Sequence, residues 1–178
     1  MYSLLFAIFK RLDPELTHHW GMLVVQLAGL PVIRKFLRRR YAPDPSLAVR
    51  ALGHDFGSPV GLAAGFDKNA VAVRGFYALG FDHVEVGTVT ALAQPGNPKP
   101  RLFRLPTDHA LINRMGFNHA GAEVVSTRFA ALRPWGGEPP IIGANICKIR
   151  ATEIAGATAL YVPSTTLLLL PPEDLVLT

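Results

Sequence analysis

The stretch "PVGLAAGFDKNA", residues 59–70, begins as a short apolar run and then passes through Gly65 into an Asp and a Lys. Short apolar runs of this kind are typical of buried strands in parallel sheets. A buried strand that ends by delivering the ammonium group of Lys68 has two interpretations. Either Lys68 is a solvated loop residue, or the strand holds its charge in a ligand pocket.

Strand-like and helix-like segments alternate along the chain after residue 48. This spacing predicts βαβ units and a parallel sheet, so a doubly wound sheet and a (β/α)8 barrel are the two candidate folds. No Gly-rich nucleotide-binding fingerprint follows any predicted strand. The predicted strands are 59–65, 83–90, 139–146 and 173–178, and the predicted helices are 72–81 and 118–132.

Small or hydrogen-bonding residues stand at the carboxyl ends of three predicted strands, at 65–68, 87–88 and Asn145. Such residues suit a ligand site over a barrel mouth, although glycines at these positions are also ordinary turn residues. Residues 94–105 read as a basic, proline-rich surface loop. The segment "INRMGFN", residues 112–118, offers amide donors and acceptors that suit a planar ligand with carbonyl and N–H edges.

The composition is that of a globular protein, with 49% hydrophobic and 17% charged residues among 178. No apolar stretch reaches the roughly 20 residues that a membrane span needs. The N-terminus shows no secretory cleavage pattern. The single cysteine, Cys147, excludes an intramolecular disulfide, which predicts a reducing compartment. A role for Cys147 as a nucleophile is not expected.

The basic character of the chain lies in residues 1–42. They hold seven Lys and Arg against two acidic residues, an excess that equals the net charge of +5. "LDPE" at 12–15 predicts a helix start, and short apolar helices with basic flanks suit a membrane surface. A helical hairpin packed on its own domain or on a partner is the alternative. Nucleic acid is disfavoured, because aliphatic side chains alternate with the arginines.

Five motifs appear in order across residues 10–150: "GLAAGFDKNA", "VEVGTVT", "QPGNPKPRLFRL", "INRMGFN" and "GANI" with Lys148. Together with "LDPE" followed by His18, they resemble the membrane-associated, quinone-dependent class of the dihydroorotate dehydrogenases, flavin enzymes of pyrimidine biosynthesis. In that class a helical N-terminal extension lies on the membrane and admits the quinone. Another flavin-dependent barrel, such as a dihydropyrimidine dehydrogenase domain, is the alternative that this extension disfavours.

The resemblance implies a (β/α)8 barrel with FMN at the carboxyl ends of its strands, dihydroorotate as substrate, a membrane quinone as electron acceptor and no metal. His18 is implied to face the quinone tunnel, with a capping or surface histidine as the alternative. The implied cofactor residues are Ala64, Gly65, Phe66, Asp67, Lys68, Thr88 and Asn145, and the implied substrate residues are Lys68, Asn113, Arg114, Met115, Gly116 and Phe117.

The expected organisation is a helical membrane and quinone-access segment, 1–42, followed by the first half of the barrel, 43–178. A complete barrel takes about 250 residues, and in the family the base serine lies beyond the position of Thr178. No catalytic base is therefore expected within these residues, and the chain is expected to be a fragment or inactive alone. Two positions depart from the family, Cys147 for Gly and Thr178 for Asn.

The resemblance also implies a location at the cytoplasmic face of a bacterial inner membrane, or at the mitochondrial inner membrane of a eukaryote. The alternative function is that of a non-catalytic fragment that binds a membrane surface or a partner.

Overall fold

The computed structural model describes residues 9–132, 140–149, 162, 164–165 and 175–177. The expectation for Thr178 falls outside them. The helices are α1 (Pro14–Ala28), α2 (Pro31–Tyr41), α3 (Val73–Ala78) and α4 (Ala122–Ala131), with a 3-10 turn at Pro45–Leu47. The strands are β1 (Val49–Ala51), β2 (His54–Phe56), β3 (His83–Val89), β4 (Leu102–Leu105), β5 (Ala110–Asn113), β6 (Ile141–Ile146) and β7 (Leu175–Leu177).

A parallel sheet forms the centre of the described structure. Strand β3 pairs with β6, and β6 pairs with β7, both in parallel. On the other side of β3, Leu62 forms a parallel bridge to Val84. Neighbours in this sheet therefore follow chain order, as they do in a barrel, without the reversal that marks a doubly wound sheet. The predicted βαβ arrangement is confirmed.

Buried and partly exposed residues alternate along the first part of β3, so its side chains point to two opposite faces of the sheet. Val84 and Val86 are fully buried and pack with Ile142 and Ala144 of β6 against the helices. The covering apolar side chains come from α3 and α4, and include Val73, Phe76, Val125 and Phe129. Glu85 lies between the two valines in the sequence, so its side chain points to the opposite face, away from these helices.

The predicted strand at 59–65 is shorter than expected. Only Leu62 is paired in strand fashion, through its N–H to the carbonyl of His83 (3.0 Å) and its carbonyl to the N–H of Glu85 (2.8 Å). Pro59 has no N–H to donate, and the small residues around Leu62 have low strand propensity. Helix α4 begins at Ala122 instead of 118, because Gly121 (φ +92°) breaks the helical path.

Two antiparallel hairpins, β1–β2 and β4–β5, were not predicted, and residues 102–105 are a strand instead of a loop. In the second hairpin Leu102 pairs with Asn113 and Leu105 with Ala110. Its turn carries His109 at φ +49°. A turn without an Asn-Gly or Asp-Gly pair gives only a weak hairpin signal in the sequence.

The predicted N-terminal helices are confirmed as α1 and α2. Asp13 caps α1, since its carboxylate accepts from the N–H of Leu16 (2.8 Å), and Pro14 is the first helical residue. Met22 of α1 is buried in the same core cluster as the sheet residues. A domain boundary at 42–43 stays a prediction. In the described residues no single helix is long and apolar enough to cross a membrane; α1 and α2 meet those criteria only together, across a 94° bend.

Candidate functional site

Three predicted site residues meet at the carboxyl ends of the strands through one carboxylate. Glu85 accepts from the backbone N–H of Ala64 (3.2 Å) through one oxygen and from Nδ2 of Asn145 (3.2 Å) through the other. The hydroxyl of Thr88 donates to Oδ1 of the same Asn145 (2.6 Å). Residues from three neighbouring segments of the sheet are thus held in one hydrogen-bonded network.

The backbone around this network leaves room for a planar group. A Cβ added to Gly65 (φ +104°) would meet nothing within 4 Å, so the backbone there is open to close approach. At Gly87 (φ +125°) a Cβ would lie 2.4 Å from the carbonyl oxygen of Asn145, so glycine is required for β3 and β6 to pack. With the amide of Asn145 and the hydroxyl of Thr88 beside it, this donor and acceptor set fits the edge of a flavin ring.

Asp67 stabilises its own loop through its side chain, and its contact with a cofactor stays a prediction. Its carboxylate is fully buried and accepts from the N–H groups of Asn69 (3.2 Å), Val71 (3.0 Å) and Ala72 (2.8 Å). Its carbonyl accepts from the N–H of Gly87 (3.3 Å). The side chain therefore fixes the path of the loop into α3, and this rigid turn positions the next residue, Lys68.

Lys68 is not a solvated loop residue. Its half-buried ammonium donates to the carbonyl of Gly116 (2.8 Å) and to Oδ1 of Asn118 (2.7 Å). Burial, with a smaller effect of the Arg101 charge, lowers the pKa of Lys68. The charge thus lies in a pocket, as the second interpretation of the opening stretch required.

The predicted substrate residues run from the end of β5 into the loop that follows it, and they differ in their exposure to solvent. Met115 is buried, whereas Asn113, Arg114, Gly116 and Phe117 are exposed. The side chain of Asn113 accepts from the N–H of Met115 (3.0 Å) and so closes a local turn. The Lys68 ammonium reaches this loop through the Gly116 carbonyl, so the loop and the predicted cofactor residues are adjacent.

His18 lies beside Lys68 in a cavity of about 320 Å³. The cavity is bounded by α1, by the loop of residues 65–69 and by the loop that contains Met115. Its ring packs edge-to-face on Phe66, with centroids 5.0 Å apart. Burial and then the charge of Lys68 lower the pKa of His18. Since Asp13 caps the helix and His18 is half-buried, neither alternative role for His18, as a cap or as a surface residue, matches its position. The cavity is lined by side chains that include Glu15, His18, Met22, Phe66, Lys68 and Met115.

An ion-pair cluster fastens α1 to the β4–β5 hairpin. Glu15 accepts two bonds from Arg101, at 3.1 and 2.6 Å, and Lys99 lies 3.3 Å away. Arg104 donates to the carbonyl of Leu12 (2.6 Å). The bond from Arg101 lowers the pKa of Glu15. Residues of the 94–105 segment therefore hold Glu15, which lines the cavity, in its position, a role that the prediction of a surface loop missed.

His119 links Thr90, which follows β3, to the loop that contains the predicted substrate residues. Its Nδ1 accepts from the N–H of Gly121 (2.9 Å), and its Nε2 lies 3.2 Å from the backbone N of Thr90 and 2.9 Å from the Thr90 hydroxyl. Burial lowers the pKa of His119. His119 and Glu85 were both missed from the sequence. The one available signal for Glu85 was a lone carboxylate inside a β-branched strand.

Comparison with known proteins places this geometry in a family. The family profile described as dihydroorotate dehydrogenase matches residues 46–163. The dihydroorotate dehydrogenase (quinone) of Clavibacter michiganensis subsp. michiganensis is 54% identical over 165 residues, which are 92% of this chain and 48% of the relative. The enzyme of the same name from Leifsonia xyli subsp. xyli is 52% identical, over 92% of this chain and 48% of its own length.

Solved structures agree. The ligand-free dihydroorotate dehydrogenase of Eimeria tenella superposes with a TM-score of 0.67 at 44% identity, covering 80% of this chain and 40% of that one. The chain spans about half the length of the curated relatives it matches. The family profile and these relatives agree with the resemblance seen in the motifs, and the chain belongs to the dihydroorotate dehydrogenase family.

Proposed function

We propose that the natural protein containing this chain oxidises dihydroorotate to orotate with FMN and passes the electrons to a membrane quinone. The observation that carries the proposal is the position of Lys68. Its half-buried ammonium follows the turn of Gly65 and reaches the loop of Gly116, where, among the described residues, it donates to neutral oxygens at 2.8 and 2.7 Å. A cation in such a place is suited to an anionic ligand, and dihydroorotate carries a carboxylate.

The residues at the strand ends would hold the FMN ring. Gly65 leaves space at its backbone, and Thr88 and Asn145 supply polar groups next to that space. FMN supplies the hydride acceptor when it is bound. Lys68 and the loop of Asn113 to Phe117 would orient the substrate against it. The family places the base serine beyond the position of Thr178, so that role is assigned to none of the described residues.

The quinone and the membrane surface would be met by α1 and α2. Their outward apolar side chains include Val24 (67% exposed), Val32 (83%) and Phe36 (70%). Arg39 and Arg40 lie beside them on α2. Apolar residues flanked by basic ones favour an anionic lipid surface. We propose the cytoplasmic face of a bacterial inner membrane for this contact, since the curated relatives compared above are bacterial.

The test is a steady-state assay of dihydroorotate-dependent quinone reduction with the intact natural protein. We expect turnover with a quinone and none with a nicotinamide nucleotide as the acceptor. Lys68→Met should lower turnover at subsaturating dihydroorotate by about ten- to a hundredfold, while Arg50→Met on the exposed β1–β2 hairpin should keep it. Turnover that is unchanged in Lys68→Met would contradict the assignment. Absence of turnover combined with vesicle binding would favour the non-catalytic membrane-surface alternative.

A further inference from the structure

Glu85 is the point at which the strand-end network is joined. Its two carboxylate oxygens accept from different segments, one from the N–H of Ala64 and one from Nδ2 of Asn145, both at 3.2 Å. Its own N–H donates to the carbonyl of Leu62 (2.8 Å). A Cβ placed on Gly143 would lie 3.4 Å from the Cγ of Glu85, so the carboxylate lies across β6. One side chain therefore links three segments of the sheet.

The chemistry of a carboxylate imposes a direction on these hydrogen bonds. An ionised carboxylate only accepts, so Asn145 must turn its NH₂ toward Glu85 and its Oδ1 toward Thr88. The hydroxyl of Thr88 then donates to Oδ1, at 2.6 Å, and can offer only lone pairs to a ligand. The orientation of an amide and the direction of a hydroxyl both follow from the charge at position 85.

We infer that Glu85 is a positioning residue of the cofactor site. It acts through Asn145 and sets which of the donors and acceptors at Asn145 and Thr88 face the ligand. This inference rests on the proposed function, since FMN is the proposed ligand. Glu85 also holds the backbone of Ala64, which precedes the open position at Gly65, so the network fixes both the polar and the backbone edge of the site.

Glu85→Gln is the sharpest variant, because it keeps the shape and removes one acceptor. A glutamine must turn its NH₂ toward either the Ala64 N–H or the Asn145 NH₂, which places two donors face to face unless Asn145 turns over. We expect FMN binding to weaken by about ten- to a hundredfold, the loss typical of breaking a hydrogen bond to a charged group. The visible spectrum of the bound flavin should also shift.

The matched control is Glu123→Gln, on the exposed side of α4, which should bind FMN like the unsubstituted protein. A double-mutant cycle separates positioning from general stability. In an Asn145→Ala background, Glu85→Gln should change FMN affinity less than about twofold, because its effect passes through Asn145. An effect of equal size in both backgrounds, or none in either, would overturn the inference.

A second measurement needs neither flavin nor a variant at position 85. The side-chain N–H resonances of Asn145 are identified in the flavin-free protein by their absence in Asn145→Ala. We expect one N–H to exchange slowly with solvent, and rapid exchange of both would overturn the inference. An unsubstituted protein that takes up no FMN would refute the proposed function instead, and the exchange rates would still decide the orientation of Asn145.

Discussion

At the scale of single residues, the ammonium of Lys68 supports the strongest prediction for ligand binding. It donates to Gly116 and Asn118 in a half-buried pocket, and an anionic ligand would gain a charge-assisted bond there. Lys68→Met should weaken orotate binding to the flavin-loaded protein by about ten- to a hundredfold. Titration of the flavin fluorescence measures this affinity. Lys35→Met is the control, and equal affinities in the two variants would contradict the role of Lys68.

A second residue, His119, makes stability depend on pH. Burial lowers its pKa below the ordinary value of 6.5, so the unfolded chain binds the proton more readily than the folded one. Stability should therefore fall as pH drops below about 6.5, and His18, whose pKa is lowered in the same way, adds to the fall. Thermal unfolding at a series of pH values should show a smaller acid effect in His119→Asn. A pH profile that is the same in His119→Asn and in the unsubstituted protein would refute the role of His119.

The residues of the site were predictable to different degrees. Lys68, Thr88 and Asn145 stand directly after apolar runs, so sequence order alone places them at one edge of a parallel sheet. Glu85 and His119 were not predictable, because each is a buried polar group whose partners lie on other segments. Asp67 follows the same apolar run as Lys68. Its carboxylate accepts hydrogen bonds from three backbone N–H groups, and these groups come together only when the loop has folded.

At the scale of elements, the bonds between Glu15 and Arg101 hold α1 against the β4–β5 hairpin. Both side chains are largely buried, at 19% and 8% exposure, so removing one leaves the other without its partner. Glu15→Gln should lower the free energy of unfolding by about 1–3 kcal/mol in urea titrations. The exposed pair of Arg50 and Asp55, 3.8 Å apart on the β1–β2 hairpin, is the control.

Asp55→Asn should change the free energy of unfolding by about 0–1 kcal/mol, because exposed ion pairs contribute little. Losses of the same size in Glu15→Gln and Asp55→Asn would show that the contact between α1 and the hairpin does not stabilise the fold.

The periodicity of apolar residues in the sequence located the helices and the long strands. α3, β3 and β6 carry strong apolar patterns, and the structure has them within a few residues of the predicted bounds, while α1 begins at the predicted helix start. The hairpins were missed because strands of three or four residues offer too few positions for alternation to be visible. The strand at 59–65 was predicted too long, since a buried apolar run does not show how many of its N–H groups find partners.

At the scale of the whole molecule, α1 and α2 both carry exposed apolar side chains, and α2 also carries exposed basic ones. Arg39→Gln should weaken binding of the protein to vesicles that contain anionic lipid by about fivefold, from the roughly 1 kcal/mol that each basic residue contributes near such a surface. Co-sedimentation at low salt measures the affinity. The control is Arg50→Gln on the β1–β2 hairpin. Equal losses in both variants would show only a general charge effect.

The most direct test of the whole account is the anaerobic addition of dihydroorotate to the intact natural protein loaded with FMN. We expect the visible absorbance of the flavin to be bleached and a quinone to restore it, and we expect Lys68→Met to need about ten- to a hundredfold more dihydroorotate for the same bleaching. Flavin that binds but keeps its absorbance after dihydroorotate is added would contradict the account.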